Sequence, residues 1–152
     1  MPIWTLTGKD TLILNGLSIQ GLGNGTTVNL EMPDTLVDLN IWKNGNASFA
    51  FKRQGLKVRM TITSQIRGDV HQMFINTVNQ ILSNPLSTIL WTGSFVKNLG
   101  DGVTGAIGHV SYVLSGGSPE KLPPLMENVD GDSKQAIPEL VIIWASAIPV
   151  ID

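Results

Sequence analysis

Hydrophobic residues alternate along two short stretches of the chain and then change period. From Ser48 to Arg53, Phe49 and Phe51 fall on one side and Ala50 and Lys52 on the other. From Lys57 to Thr63, Val58, Met60 and Ile62 face one way, while Lys57, Arg59, Thr61 and Thr63 face the other. A period of two is the mark of a half-buried strand. Gln54-Gly55 between the runs supplies a residue that accepts positive φ, so the pattern predicts a hairpin with one oily and one basic face.

After Arg67-Gly68 the spacing predicts a helix over about 69–82. Val70, Met73, Phe74, Thr77, Val78, Ile81 and Leu82 recur at i, i+3, i+4, i+7, i+8, and His71, Gln72, Asn76, Asn79 and Gln80 fall opposite. Asp69 followed by Gln72 reads as a capping box, and Asn84-Pro85 stops the run because proline disfavours helical geometry in the residue before it. The apolar stripe needs a sheet to cover, and Phe49, Phe51, Val58, Met60 and Ile62 are expected to provide it.

The other segments read mostly as strands. Thr11–Ile19 is broken by Asn15-Gly16, a type I′ hairpin dipeptide. Gly21, Gly23 and Gly25 have glycine spacing but precede an alternating run, Thr26–Met32, so the helix N-terminus that a dinucleotide fingerprint needs is missing. Strands are expected over 36–42, 87–96 and 104–115, with turns at Lys43–Asn46 and Lys97–Gly102, and Glu139–Ile151 reads as a closing strand buried on both faces. Glu31, Asp38, Lys57 and Arg59 are expected to project from polar faces, where their charges partly offset one another if those faces belong to one sheet. The fold class is thus mainly β: a single domain over residues 1–152, a two-sheet sandwich or partly closed barrel flanked by one helix.

Residues 116–138 lose all period and form a long loop with four prolines. It also carries Leu122, Leu125, Met126 and Val129, apolar residues that a merely solvated loop does not need. Loops longer than about 12–15 residues are usually functional or disordered. These four are therefore expected to belong to a self-assembly arm that gains order on a neighbouring subunit.

Composition sharpens this picture. Only 14% of residues are charged, against about 25% in an ordinary domain, which fits a chain whose surface is covered by other copies or is rich in Ser, Thr, Asn and Gly. No signal peptide or transmembrane run is visible. The chain has no cysteine, and its two histidines, His71 and His109, have no neighbour at metal-ligand spacing. Asp130-Gly131-Asp132 lacks the remaining ligands of a calcium loop. No nucleophile elbow or phosphate loop is present, so no enzymatic activity, metal or cofactor is expected.

Read together, residues 12 to 70 resemble the tail tube proteins of contractile-tailed bacteriophages. The residues that carry the resemblance are Asn15-Gly16, Gly21, Gly23, Gly25, Asn44-Gly45, Arg53 and the strand end Thr61–Ser64, which leads through Gln65-Ile66-Arg67-Gly68-Asp69 into the helix. The resemblance implies a virion structural protein made in the host cytoplasm. It implies rings, six subunits each, stacked into a tube inside a sheath, with sheath, baseplate and tail-terminator proteins as partners. It also implies DNA in transit without tight binding, and no membrane insertion of the subunit. Glu31, Asp34 and Asp38 punctuate the early strands and are the candidates for lining such a lumen. The inner tube of a contractile bacteriocin or type VI secretion-like apparatus would share fold and chemistry. A carbohydrate-binding β-sandwich is the other alternative, with Trp4, Trp42, Trp91 and Trp144 as stacking platforms.

Overall fold

A computed structural model describes residues 3–6, 10–19, 28–52, 57–127 and 129–152. The glycines at 21, 23 and 25, Arg53 and the Gln54-Gly55 turn lie outside the described residues. The elements are β1 (Trp4–Leu6), β2 (Thr11–Leu14), β3 (Leu17–Ser18), β4 (Val28–Glu31), β5 (Val37–Ile41), β6 (Ala47–Phe51), β7 (Val58–Thr63), α1 (Asp69–Ser83), β8 (Trp91–Asp101), β9 (Ile107–Pro119) and β10 (Glu139–Ile151). Eight strands form one antiparallel sheet in the order β3-β2-β8-β9-β10-β7-β4, with β1 added to β8 beyond the end of β2. Strands β5 and β6 form a second, two-stranded sheet. The architecture is mainly β with one long helix, as expected, and the large sheet is open among the described residues.

Helix and sheet share one core. Leu12 and Leu14 of β2, Met60 and Ile62 of β7, Trp91, Leu114 of β9, and Leu140, Ile142 and Trp144 of β10 pack with Val70, Phe74 and Val78 of α1. Alternation explains β7, where Val58, Met60 and Ile62 are buried and Arg59, Thr61 and Thr63 are not. Phe74 meets Trp91 edge to face at 6.4 Å between ring centroids, a favoured geometry for aromatic pairs. The Trp91 indole Nε1–H donates to Thr77 Oγ1 at 3.1 Å, so the buried ring keeps its hydrogen bond.

The expected hairpin between β6 and β7 does not form. β7 is flanked by β10 and β4, Met60 lying opposite Ile142 on one side and Leu30 on the other. β6 pairs instead with β5, leaving Phe49 and Phe51 in solvent rather than under the helix. Both edges of β7 are taken, one by the first six residues of β10 and the other by β4, which leaves no edge for β6.

Several boundaries also differ. Gly68 is the N-cap of α1 and Asp69 is already helical, one residue too late for a capping box. The Asp69 carboxylate accepts the Val70 N–H instead, and Gln72 donates to the Arg67 carbonyl. Lys97–Asp101 continues β8 rather than turning, because Asp10 holds both the Lys97 ammonium and the Asn98 N–H at 3.0 Å. β9 runs on to Pro119, which shortens the loop to 120–138, with a 3-10 turn at Ser133–Ala136. β10 is buried only from Leu140 to Trp144, apart from partly covered Ile143. The Asn15-Gly16 hairpin forms as read, with φ of 52° and 79°.

Candidate functional site

No three His, Asp or Glu side chains come together as a metal-binding group among the described residues. His71 Nδ1 accepts the Arg67 N–H at 3.0 Å, and His109 Nδ1 lies 2.8 Å from Asn98 Oδ1. Both rings serve local structure. A depression of about 740 Å³ beside α1 is lined by Asn15, Gln72, Asn76, Gln80 and Thr88 among others, with Asp69 as its one titratable side chain. It offers no acid–base pair. Trp91 and Trp144 are buried in the core, so neither is a stacking platform.

What stands out is apolar surface without cover. In the β5–β6 hairpin, register places Val37 opposite Phe51, Leu39 opposite Phe49 and Ile41 opposite Ala47, so all six share one face. Every residue of both strands is exposed, Phe49 at 61% and Phe51 at 81%. The tip is well formed: Trp42 N–H donates to the Asn46 carbonyl at 2.7 Å, Gly45 N–H to the Trp42 carbonyl at 2.9 Å, and Asn46 N–H to Asn44 Oδ1 at 3.0 Å. Monomeric proteins rarely show contiguous apolar patches of this kind, which mark interaction sites.

A second such surface is the segment after β9. Leu125 is 86% and Val129 95% exposed, and Leu122 and Met126 are more than half exposed. The root of the segment is tethered by Glu120, which Arg59 binds at two points. Leu122, Pro123 and Leu125 border a cleft of about 290 Å³ that Ile66, His71 and Ile75 complete.

The third surface is the far half of β10. β7 covers only Glu139–Trp144, so the edge from Ala145 to Ile151 has no strand beside it among the described residues. His109 and Asp152 exchange both backbone hydrogen bonds, at 3.2 and 3.0 Å. Antiparallel alternation then aims the backbone polar groups of Val150 and Ile148 at β9 and those of Ala147, Pro149 and Ile151 outward. Pro149 falls on the outward side, where a missing N–H breaks no ladder. Between this edge and β4 lies a second cleft of about 290 Å³, lined by Leu30, Glu31, Met32, Leu36, Val58, Tyr112, Ala147 and Pro149.

The three acidic candidates are all exposed but do not form one cluster of bonds. Glu31 ends β4 opposite Arg59, Asp34 sits in the bend after it, and Asp38 on β5 lies 3.9 Å from Lys52. Glu31 thus faces Arg59 within one sheet, as expected, but the ion pair of Arg59 is with Glu120, and Asp38 belongs to the separate hairpin. Sequence reasoning singled out Leu122, Leu125, Met126 and Val129 for their apolar character but missed the hairpin face, because alternating Val, Leu and Phe reads the same whether a core or a partner covers it. Among the described residues, Asp101 is the group whose titration is clearly displaced. It accepts the Val103 N–H at 2.9 Å and the Thr104 hydroxyl at 3.0 Å, and these bonds, the backbone one foremost, hold its carboxyl below 3.8.

No family model matches the chain, and no curated protein matches it. Among solved structures it is similar to a chain of the anti-feeding prophage baseplate, determined by cryo-EM and 6-fold symmetrised. The TM-score is 0.47 and the identity 8%, over 96% of this chain and 95% of that one. At that score and identity the likeness carries no functional inference.

Proposed function

We propose that this chain is a non-enzymatic structural subunit of a phage tail, self-assembling into stacked hexameric rings that form the inner tube. The observation that carries the reading is the β5–β6 hairpin, a formed element whose entire apolar face is in solvent. A fold that leaves such a face open has its partner outside the monomer, and the scarcity of charge fits a surface largely covered in an assembly. The resemblance of residues 12 to 70 to tail tube proteins supplies the kind of assembly. Sheath, baseplate and terminator proteins are its further partners, and the tail of the virion is its location.

On this reading DNA passes through the lumen without being held. Each phosphate neutralised by Lys or Arg adds salt-dependent affinity, and the chain has 10 basic residues and a net charge of −2. Glu31, Asp34 and Asp38 are the lumen-lining residues proposed. Negative-stain microscopy of concentrated protein tests the whole reading: rings or tubes with an open lumen are expected, and a monodisperse monomer at every concentration would overturn it.

A further inference from the structure

The hairpin and the cleft beside β10 are two unlike surfaces on one molecule, and each has what the other lacks. The hairpin presents a convex apolar face whose two phenylalanines, at 61% and 81% exposure, account for about 200–350 Å² of ring surface. Val37, Leu39 and Ile41, exposed at 42%, 50% and 66%, extend that face towards the roughly 800 Å² that one side of a stable interface buries. The cleft is concave and apolar, floored by Val58 and walled by Leu30, Tyr112 and Pro149.

The hairpin cannot fill the cleft of its own chain. Met32 and Leu36, at the hairpin's root, are themselves part of the cleft wall. Five extended residues span about 17 Å, so a paired, straight hairpin carries Leu39, Ile41 and Phe49 away from that wall. Charge agrees with a second copy as the occupant: Lys43 sits at the hairpin tip and Glu31 on the cleft rim.

We infer that the β5–β6 hairpin of one copy seats its Leu39–Phe49 face in the cleft between β4 and the outer edge of β10 of the next copy. This rests on the self-assembly reading above and specifies its contact. Used head to tail, as the assembly reading requires, the contact is heterologous: each copy offers a free knob at one side and a free cleft at the other, which builds closed rings or open stacks.

Complementary variants test it. Leu39→Ser with Phe49→Ser removes the knob and leaves the cleft; Ala147→Trp fills the cleft and leaves the knob. Each variant alone is expected to be monomeric in analytical ultracentrifugation, and a mixture of the two is expected to form a 1:1 dimer that grows no further. Wild-type protein that assembles while both variants assemble equally well would overturn the contact and leave the assembly reading standing. Wild-type protein that never assembles would overturn both. As a check independent of cleft repacking, a chain carrying Phe49→Cys and Ala147→Cys has no other thiol. A short bismaleimide is expected to convert it to a ladder of covalent oligomers that neither single variant gives; no ladder from assembled protein would overturn the contact.

Discussion

Arg59 and Glu120 form a two-point ion pair across 61 residues of sequence, the Arg59 Nε–H donating to Oε2 at 2.9 Å and Nη2 to Oε1 at 3.1 Å. Arg59 projects from β7 and Glu120 follows the last residue of β9, so the pair bridges over β10, which lies between those strands. Both side chains are about one-third exposed. The planar fork matches both carboxylate oxygens and holds the start of the 120–138 segment in one place.

Glu120→Gln should therefore cost about 1 kcal/mol in chemical denaturation, the upper end for exposed pairs. Its larger effect should be local. Hydrogen exchange of the Glu120 amide, bonded to the Val141 carbonyl at 3.0 Å, is expected to quicken while that of β10 amides 140–144 is unchanged.

Leu125→Ser with Met126→Ser should leave the monomer's melting temperature unchanged, since both side chains are already more than half exposed, and should abolish polymerisation seen by light scattering. A fall in melting temperature with assembly intact would instead place the segment in the fold of its own chain. Ordering such a segment costs on the order of 1–2 kcal/mol per residue, so its amides should gain protection only in the polymer.

Gly117 and Gly93 give Trp144 its room. A Cβ on Gly117 would overlap the Trp144 ring, and one on Gly93 would lie 2.6 Å from the Ile13 carbonyl oxygen and 3.3 Å from the same ring. Alanine at either position should destabilise the protein by about 1–3 kcal/mol through overpacking. In a Trp144→Leu background the cost of Gly117→Ala should shrink, because residues in contact do not contribute independently. Denaturant melts of the four chains measure this coupling.

Asp101 should titrate below 3.8 by NMR, since the Val103 N–H and Thr104 hydroxyl favour its charged form. A carboxyl with a lower pKa folded than unfolded binds fewer protons in the native state. Its contribution to stability is therefore complete above the unfolded value near 3.8 and is lost as pH falls through the folded one. Thr104→Val should move the titration back upward, with the change confined to the β8–β9 turn.

Local chemistry alone dictated the elements whose causes lie within a few residues. Asn15-Gly16 turns because those residues accept positive φ, α1 forms because Val70, Phe74 and Val78 recur along one face, and Pro85 ends it. The scarcity of charge and the apolar residues of 122–129 were equally plain in the chain. Tertiary structure alone decided which strands pair, because alternation fixes the side a residue faces and not its neighbour. Phe49 and Met60 carry the same signal, yet one lies in solvent on a separate hairpin and the other is fully buried between Ile142 and Leu30. The open edge at Ala147–Ile151 is likewise a product of length: β10 outruns β7 by seven residues, and only the assembled sheet reveals where that cover ends.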